Sequence, residues 1–125
     1  MNLPILLFDP NPVAAGVLAL QLRRAGFETH MAEDGSAAVL AARGQPFASI
    51  VVVADLADAR MRKCLHELRA AEPEAWLIVI SDPPVDRAWE LVQGLGGNAM
   101  MDVPFTVSDL ARRLSELPAR ARPLA

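Results

Sequence analysis

The chain has 125 residues and a formal net charge of −3, with 53% hydrophobic and 22% charged residues. This length suits one domain, and this apolar content can build a hydrophobic core, which excludes an intrinsically disordered chain. The acidic balance argues against direct nucleic-acid binding, and the single cysteine, Cys64, excludes an internal disulfide.

Short apolar runs alternate with longer amphipathic segments along the whole chain. The apolar runs predict strands over residues 3–8, 50–54, 76–80 and 99–103, and the mixed segment 27–31 predicts a second, weaker strand. The amphipathic segments predict helices over residues 12–25, 35–43, 57–71 and 85–95, and a last helix from a cap at Thr106 or Ser108 to Leu117. Alternation of this kind predicts an α/β fold with right-handed crossovers and helices on both faces of a parallel sheet.

The expected architecture is a flavodoxin-like, doubly wound sheet of five strands in the order 2-1-3-4-5, with five helices. It forms one domain over residues 1–117, and residues 118–125 are expected to be a flexible tail or the start of a linker. Asp9 and Pro10 interrupt the first apolar run, so neither a signal peptide nor a membrane span is predicted. The cytoplasm is therefore the expected compartment.

Ligands of doubly wound sheets bind at the carboxyl ends of the strands, which directs attention to the residues that follow each strand. Here the sequence resembles the receiver domains of bacterial two-component response regulators. The resemblance extends from Ile5 to Leu117, and its motifs are LLFDPNP at 6–12, AGF at 25–27, AEDG at 32–35, IVIS at 78–81 and PFT at 104–106.

That resemblance implies phosphoryl transfer to an aspartate at the end of the third strand. Two acidic residues after the first strand would bind Mg²⁺, and a hydroxyl after the fourth strand and a lysine after the fifth would contact the phosphoryl oxygens. A dianionic group beside carboxylates needs such cations to offset the repulsion.

This sequence carries only part of that set. Asp9 matches the first acidic position, and Ser81 matches the hydroxyl. Pro10 stands where the second acidic residue is expected, and Val103 stands in place of the lysine. Asp9 is interpreted either as a vestigial Mg²⁺ ligand or as a residue that organises the turn into the first helix. Ser81 is interpreted mainly as a turn residue.

The acceptor position is assigned by counting along the chain. Counting without gaps from Asp34 forward, or from the third helix back, places Val53 there, whereas Asp55 would require a shift of two residues. A valine cannot be phosphorylated, so we expect a degenerate receiver that is not an enzyme, needs no cofactor and has an apolar plug in the pocket. The alternative is a working phospho-receiver that uses Asp55 with Asp9 and Mg²⁺.

Two surfaces are candidates for protein–protein interaction. Trp89 lies on the predicted fourth helix and Met100 on the fifth strand, a region that receivers use for docking. The first helix is apolar all round for two turns: Ala14, Val17, Leu18 and Leu22 are expected to face the sheet, which leaves Val13, Gly16 and Leu20 outward. The expected partners are another protein, an attached output domain or a second copy of the chain.

A third possible function, besides the degenerate receiver and the phospho-receiver, is binding of a small ligand. Only the isolated segment 95–98 (LGGN) is in its favour.

Overall fold

A computed structural model describes residues 3–117, in which five strands alternate with five helices. The strands are Ile5–Phe8 (β1), Thr29–Ala32 (β2), Ser49–Ala54 (β3), Trp76–Ser81 (β4) and Ala99–Asp102 (β5). All neighbouring strands are parallel, and their order is β2-β1-β3-β4-β5. The flavodoxin-like order expected from the sequence is thus confirmed. The predicted tail at 118–125 lies outside the described residues.

The helices are Pro12–Arg24 (α1), Gly35–Gly44 (α2), Ala59–Ala71 (α3), Ala88–Gly94 (α4) and Val107–Glu116 (α5). Successive strand residues point to opposite faces, so the sheet supports two apolar clusters. Leu18 of α1 and Leu110 of α5 belong to the cluster on one face, and Leu65 of α3 and Val92 of α4 belong to the other. Thr106, the first of the two predicted caps, starts α5 by accepting a hydrogen bond from the Asp109 backbone nitrogen.

Helix α1 buries a different face from the predicted one. The buried residues are Ala15, Leu18, Ala19 and Leu22, spaced as on one side of a helix. The expectation that Ala14 and Val17 face the sheet is wrong, since both are exposed. A helix that is apolar all round gives no periodicity from which its rotation about its own axis can be read.

Helix α4 is shorter than predicted, because it begins at Ala88 rather than at residue 85. Arg87, at the N-cap position, has φ of 56° in the left-handed region and no side-chain capping bond is formed there. Two prolines, Pro83 and Pro84, lie just upstream and keep the chain extended through the loop. The β4–α4 loop is therefore longer than the sequence pattern indicated.

One arginine joins three segments at the amino edge of the sheet, the edge where the strands begin. Arg69 near the end of α3 donates through Nη1 to the carbonyl oxygens of Glu72, Pro73 and Ala75, at 3.2, 2.9 and 2.9 Å. Its Nε donates to the Gly96 oxygen at 2.9 Å, and its Nη2 to Asn98 Oδ1 at 2.6 Å. These bonds tie α3 to the starts of β4 and β5.

Candidate functional site

The residues identified from the sequence meet at the carboxyl edge of the sheet, where the strands end. The register pairs Phe8 with Val52, Val53 with Ile80, and Ala54 with Ser81, which in turn pairs with Asp102. Asp9 directly follows Phe8, so it lies level with Val53 on the neighbouring strand. Val103 directly follows Asp102 on β5. The site residues predicted from the sequence therefore lie on, or directly after, four adjacent strands, and Val53 is in the middle of the sheet.

Val53 and Val103 make the middle of this edge apolar. Val53 is only 8% exposed and belongs to the cluster that α1 and α5 cover. Val103 is half-buried and packs against the same cluster. Methyl groups therefore occupy the positions that the resemblance assigns to the acceptor carboxylate and to the lysine.

Asp9 organises the turn that leads into α1. Its Oδ1 accepts a hydrogen bond from the backbone nitrogen of Asn11 at 2.9 Å, and Asn11 in turn caps α1. Partial burial raises the pKa of Asp9; the Asn11 hydrogen bond lowers it, and the nearby Asp82 carboxylate raises it further. The hydrogen bond favours the turn-forming interpretation over the metal-ligand one.

Ser81 is fully buried, and its hydroxyl is used within the β4–α4 loop. Its Oγ donates to the carbonyl oxygen of Pro83 at 3.1 Å. A hydroxyl that contacts a phosphoryl group would have to give up this bond. The geometry thus favours the interpretation of Ser81 as a turn residue.

Asp55, the alternative acceptor, lies beyond the end of β3 and is exposed. Its Oδ1 accepts from the backbone nitrogen of Ala57 at 3.0 Å, and its carbonyl oxygen accepts from the Asp58 nitrogen at 3.0 Å. Asp58 is the N-cap of α3. The Asp55 side chain is therefore part of the turn that starts this helix.

The donor set at this edge does not fit the Mg²⁺ site that the resemblance implies. Two of the three expected carboxylate positions hold Pro10 and Val53, which offer no side-chain oxygen. Among residues 3–117, no group of three or more His, Cys, Asp or Glu side chains is arranged to hold a metal ion.

Asp82 follows β4 among the residues at the carboxyl ends of the strands, but sequence reasoning missed its effect on Asp9. It is exposed, and its backbone nitrogen donates to the Ala54 oxygen at 2.9 Å, which places it against the end of β3. Because β1 and β4 flank β3, the residues that follow them lie on either side of Val53. The predicted strand order contained this signal. Two carboxylates, Asp9 and Asp82, thus border the apolar centre of the site.

A cavity of about 640 Å³ lies beside this site, on the face of the sheet that α2 and α3 cover. Its lining includes Phe8, Pro10, Gly35 and Cys64. Burial raises the pKa of the Cys64 thiol, and the Glu67 carboxylate raises it further. The thiol is therefore held in its protonated, poorly nucleophilic form.

The α4–β5 region leaves a large aromatic side chain accessible. Trp89 on α4 is 40% exposed, whereas Met100 on β5 is half-buried and packs against the cluster beneath α4. Gly97 allows the chain to pass close to this helix, because a Cβ there would lie 2.3 Å from Val92 Cγ1. Trp89 is thus accessible to solvent, whereas Met100 belongs to the apolar packing beneath α4.

Between residues 3 and 117 the fold contains no helix with the length and apolar character needed to cross a membrane.

Comparison with known proteins identifies relatives of this fold. No protein-family model matches the chain. The chain is 32% identical over 118 residues to the probable transcriptional regulatory protein TcrX of Mycobacterium tuberculosis, covering 93% of this chain and 50% of that protein. It therefore spans about half the length of this curated relative.

Two solved structures are similar over almost their whole length. One is the receiver domain of the sensor histidine kinase PA1611 from Pseudomonas aeruginosa PAO1, whose structure has a magnesium ion coordinated in the active-site cleft. It is 25% identical to this chain. The match covers 92% of this chain and 96% of that one, with a TM-score of 0.76. A CheY-like receiver domain protein from Methanospirillum hungatei JF-1 is 16% identical, with 93% of both chains covered and a TM-score of 0.79.

Proposed function

We propose that this chain, which has the fold of a response-regulator receiver domain, is a signalling module that acts through protein–protein interaction without being phosphorylated. The observation that carries the proposal is the position of Val53. Val53 is buried near the end of β3, next to the segment that follows β1, and this supports its assignment to the position where the resemblance expects the acceptor aspartate.

The charges around Val53 support this proposal. A phosphoryl group carries between one and two negative charges near pH 7. At this edge it would meet the carboxylates of Asp9 and Asp82, and Val103 offers no ammonium group in return. Lys63, the only lysine of the chain, lies in α3 with its Nζ 3.8 Å from Glu67 Oε1. The cation that the resemblance expects beside a bound phosphoryl group is thus replaced by the apolar side chain of Val103.

The hydrogen bonds of the site support it as well. Three side chains of the site, those of Asp9, Asp55 and Ser81, each form a hydrogen bond through an oxygen atom to the backbone of their own loop. These bonds fix three turns in one arrangement. We propose that the domain presents a constant surface, that it has no enzymatic activity of its own and that it needs no cofactor.

The proposed partner is another protein or an output domain attached to this one. TcrX, which is twice as long as the matched region, is described as a probable transcriptional regulatory protein, and this supports an output of that kind. Exposed tryptophans are frequent anchors of protein interfaces, and Trp89 is placed to serve as one. The acidic net charge makes direct nucleic-acid binding by this domain unfavourable.

The experiment that tests the proposal is intact-mass measurement after incubation with a small-molecule phosphodonor and Mg²⁺. We expect no added phosphoryl group under conditions that phosphorylate a receiver with a complete acidic set. A gain of one phosphoryl group that Asp55→Asn abolishes and the matched variant Asp58→Asn retains would establish the alternative, a phospho-receiver that uses Asp55. A gain that survives both substitutions would also contradict the proposal.

A further inference from the structure

We infer that a second copy of this chain covers the outer face of α1, with the two α1 helices packed antiparallel about a twofold axis. The inference rests on the proposed function, because it identifies one protein–protein contact that needs no phosphorylation. We call the residues Val13, Val17 and Leu20, together with Gly16 between them, the α1 stripe.

The α1 stripe is apolar although it faces away from the sheet. Val13, Val17 and Leu20 are 75%, 54% and 46% exposed. They lie at positions i, i+4 and i+7 and therefore form one continuous row along the helix. The outer face of a surface helix normally carries polar side chains, and contiguous exposed apolar groups mark interaction sites. The row thus has the pattern of a helix-packing surface that lacks its partner.

Gly16 provides the room for a neighbour. A Cβ placed on this glycine would meet nothing within 4 Å, so no atom of the chain requires glycine at this position. Glycine inside a helix is less stable than alanine by roughly 0.5–1 kcal/mol, because it loses more backbone freedom on folding. The missing side chain leaves a hollow beside Val17 on the surface of α1. A side chain from a second helix can enter this hollow.

One antiparallel register satisfies every residue of the row. With the twofold axis between Gly16 and Val17, each Val17 lies opposite Gly16 of the other copy, and each Val13 lies opposite Leu20. An interface of this symmetry is self-complementary, since each contact occurs twice. The valine enters the hollow at the glycine, and the two larger pairs close the ends of the apolar row.

The charges of α1 select the same direction. Its two ionisable residues, Arg23 and Arg24, both lie in the last turn. Arg23 donates to the Thr29 oxygen, whereas Arg24 is exposed and makes no ion pair within residues 3–117. The register that pairs Val13 with Leu20 places Arg24 opposite Asp9 of the second copy. Parallel helices would place the two Arg24 side chains together, which is repulsive.

The contact is small. A standard protein–protein interface buries about 800 Å² on each partner, more than a row of three side chains can supply alone. We therefore expect a reversible dimer with a dissociation constant in the micromolar range rather than a permanent one.

Disulfide cross-linking tests the register directly. The native thiol is removed with Cys64→Ser, and this background receives either Val13→Cys or Leu20→Cys. In the inferred register residue 13 faces residue 20, whereas two copies of residue 13 are offset by seven residues, about 10 Å along the helix. Cα atoms more than about 7 Å apart cannot be bridged without moving the backbone.

We expect an equimolar mixture of the two variants to give a covalent heterodimer at least about fivefold faster than either variant alone forms a homodimer. The chain offers a control for random collision in Leu40→Cys, at a position on α2 that is 67% exposed. Faster linkage of residue 13 to itself would show parallel helices and overturn the inference. Linkage no faster than that of Leu40→Cys would overturn it as well.

Analytical ultracentrifugation of the unlinked protein provides the second readout. We expect Arg24→Glu to raise the dissociation constant of the dimer about tenfold and Arg113→Glu, an exposed position on α5, to leave it unchanged. If the chain stays monomeric at about 1 mM, the α1 stripe does not bind a second copy and the inference is contradicted. The proposed function, which the phosphodonor experiment tests, would not be affected by this result. Phosphoryl uptake by a chain that still cross-links would contradict the proposed function and not the α1 pairing.

Discussion

The two edges of the sheet use their polar side chains for different purposes. At the amino edge, Arg69 and Asn98 join segments that are far apart in the chain: the Asn98 Oδ1 accepts from Arg69 and also from the backbone nitrogen of Leu77 at 2.8 Å. At the carboxyl edge, Asp9 and Ser81 bond only to the backbone two residues further on. Long-range polar bonds hold the fold at one edge, and local bonds shape the loops at the other.

This difference bears on how the candidate site is interpreted. A receiver pocket that binds a phosphoryl group must keep charged side chains ready for a ligand, at a cost in stability. Here the centre of that edge is Val53, which packs into the core, while the polar groups around it form turns. The carboxyl edge therefore follows a general rule of folded proteins: its centre is apolar, and its buried polar group, the Ser81 hydroxyl, has a hydrogen-bond partner. Three substitutions test this comparison.

We expect Arg69→Ala to have the largest effect, a loss of about 3 kcal/mol in the free energy of unfolding. The substitution removes five donated hydrogen bonds and leaves carbonyl oxygens of three segments without them. Urea denaturation followed by circular dichroism measures the change. Arg62→Ala, which removes one bond to the Leu56 oxygen, is the matched control, and we expect a loss of about 1 kcal/mol. Equal losses for the two variants would contradict the assigned role of Arg69.

We expect Val53→Asp to lower the free energy of unfolding by about 2 kcal/mol at pH 7. The substitution places a carboxylate in the apolar cluster, close to the carboxylates of Asp9 and Asp82. Burial sets the folded-state pKa of the new carboxyl above its unfolded value. The loss is therefore full at neutral pH and shrinks as the pH falls through that folded pKa.

Urea denaturation at pH 7 and pH 5 measures this dependence, and Val53→Asn, of the same shape but without a charge, is the control. We expect the loss for Val53→Asn to be independent of pH in this interval. A Val53→Asp variant as stable as the parent chain at pH 7 would show that the site is already built to hold a carboxylate.

We expect Asp9→Asn to have the smallest effect, a gain of a few tenths of a kcal/mol at neutral pH after solvent screening is allowed for. The amide oxygen of asparagine can still accept the Asn11 hydrogen bond, and the repulsion from Asp82 is removed. Because the pKa of Asp9 is raised on folding, its ionisation opposes folding, so the gain appears as the pH rises above about 4 and is absent in acid.

Thermal unfolding at pH 3 and pH 7 measures this gain in the monomer, at protein concentrations below the dissociation constant of the inferred dimer, with the exposed Asp86→Asn in the β4–α4 loop as the control. Loss of monomer stability at neutral pH would assign Asp9 a partner within its own chain that its negative charge binds.

The parallel sheet was predictable because most strands are short apolar runs that alternate with helices; β2, with the sequence THMA, is the exception. Counting from two flanks assigned Val53 to the acceptor position; the structure locates this residue near the end of β3, and its assignment as the acceptor position stays a prediction. Both predictions depend on spacing along the chain, which the sequence displays directly.

What the sequence did not indicate depends on contacts between distant segments or on local backbone geometry. The rotation of α1 could not be predicted, because apolar residues surround the helix and only packing against the sheet selects Ala15 and Ala19 as buried. The late start of α4 depends on the left-handed conformation of Arg87, which a residue of that type seldom adopts. The effect of Asp82 on Asp9 appears only when β1 and β4 are placed on either side of β3.

The hydrogen bonds of Arg69 affect which parts of the fold can unfold separately. The same guanidinium holds the end of α3, the approach to β4 and the loop between α4 and β5. A fluctuation that detached α4 and β5 alone would break the bonds to Gly96 and Asn98, so this part of the chain gains little freedom by separating first. We therefore expect local unfolding of α4 and β5 to be coupled to that of α3 through a side chain that belongs to neither of them.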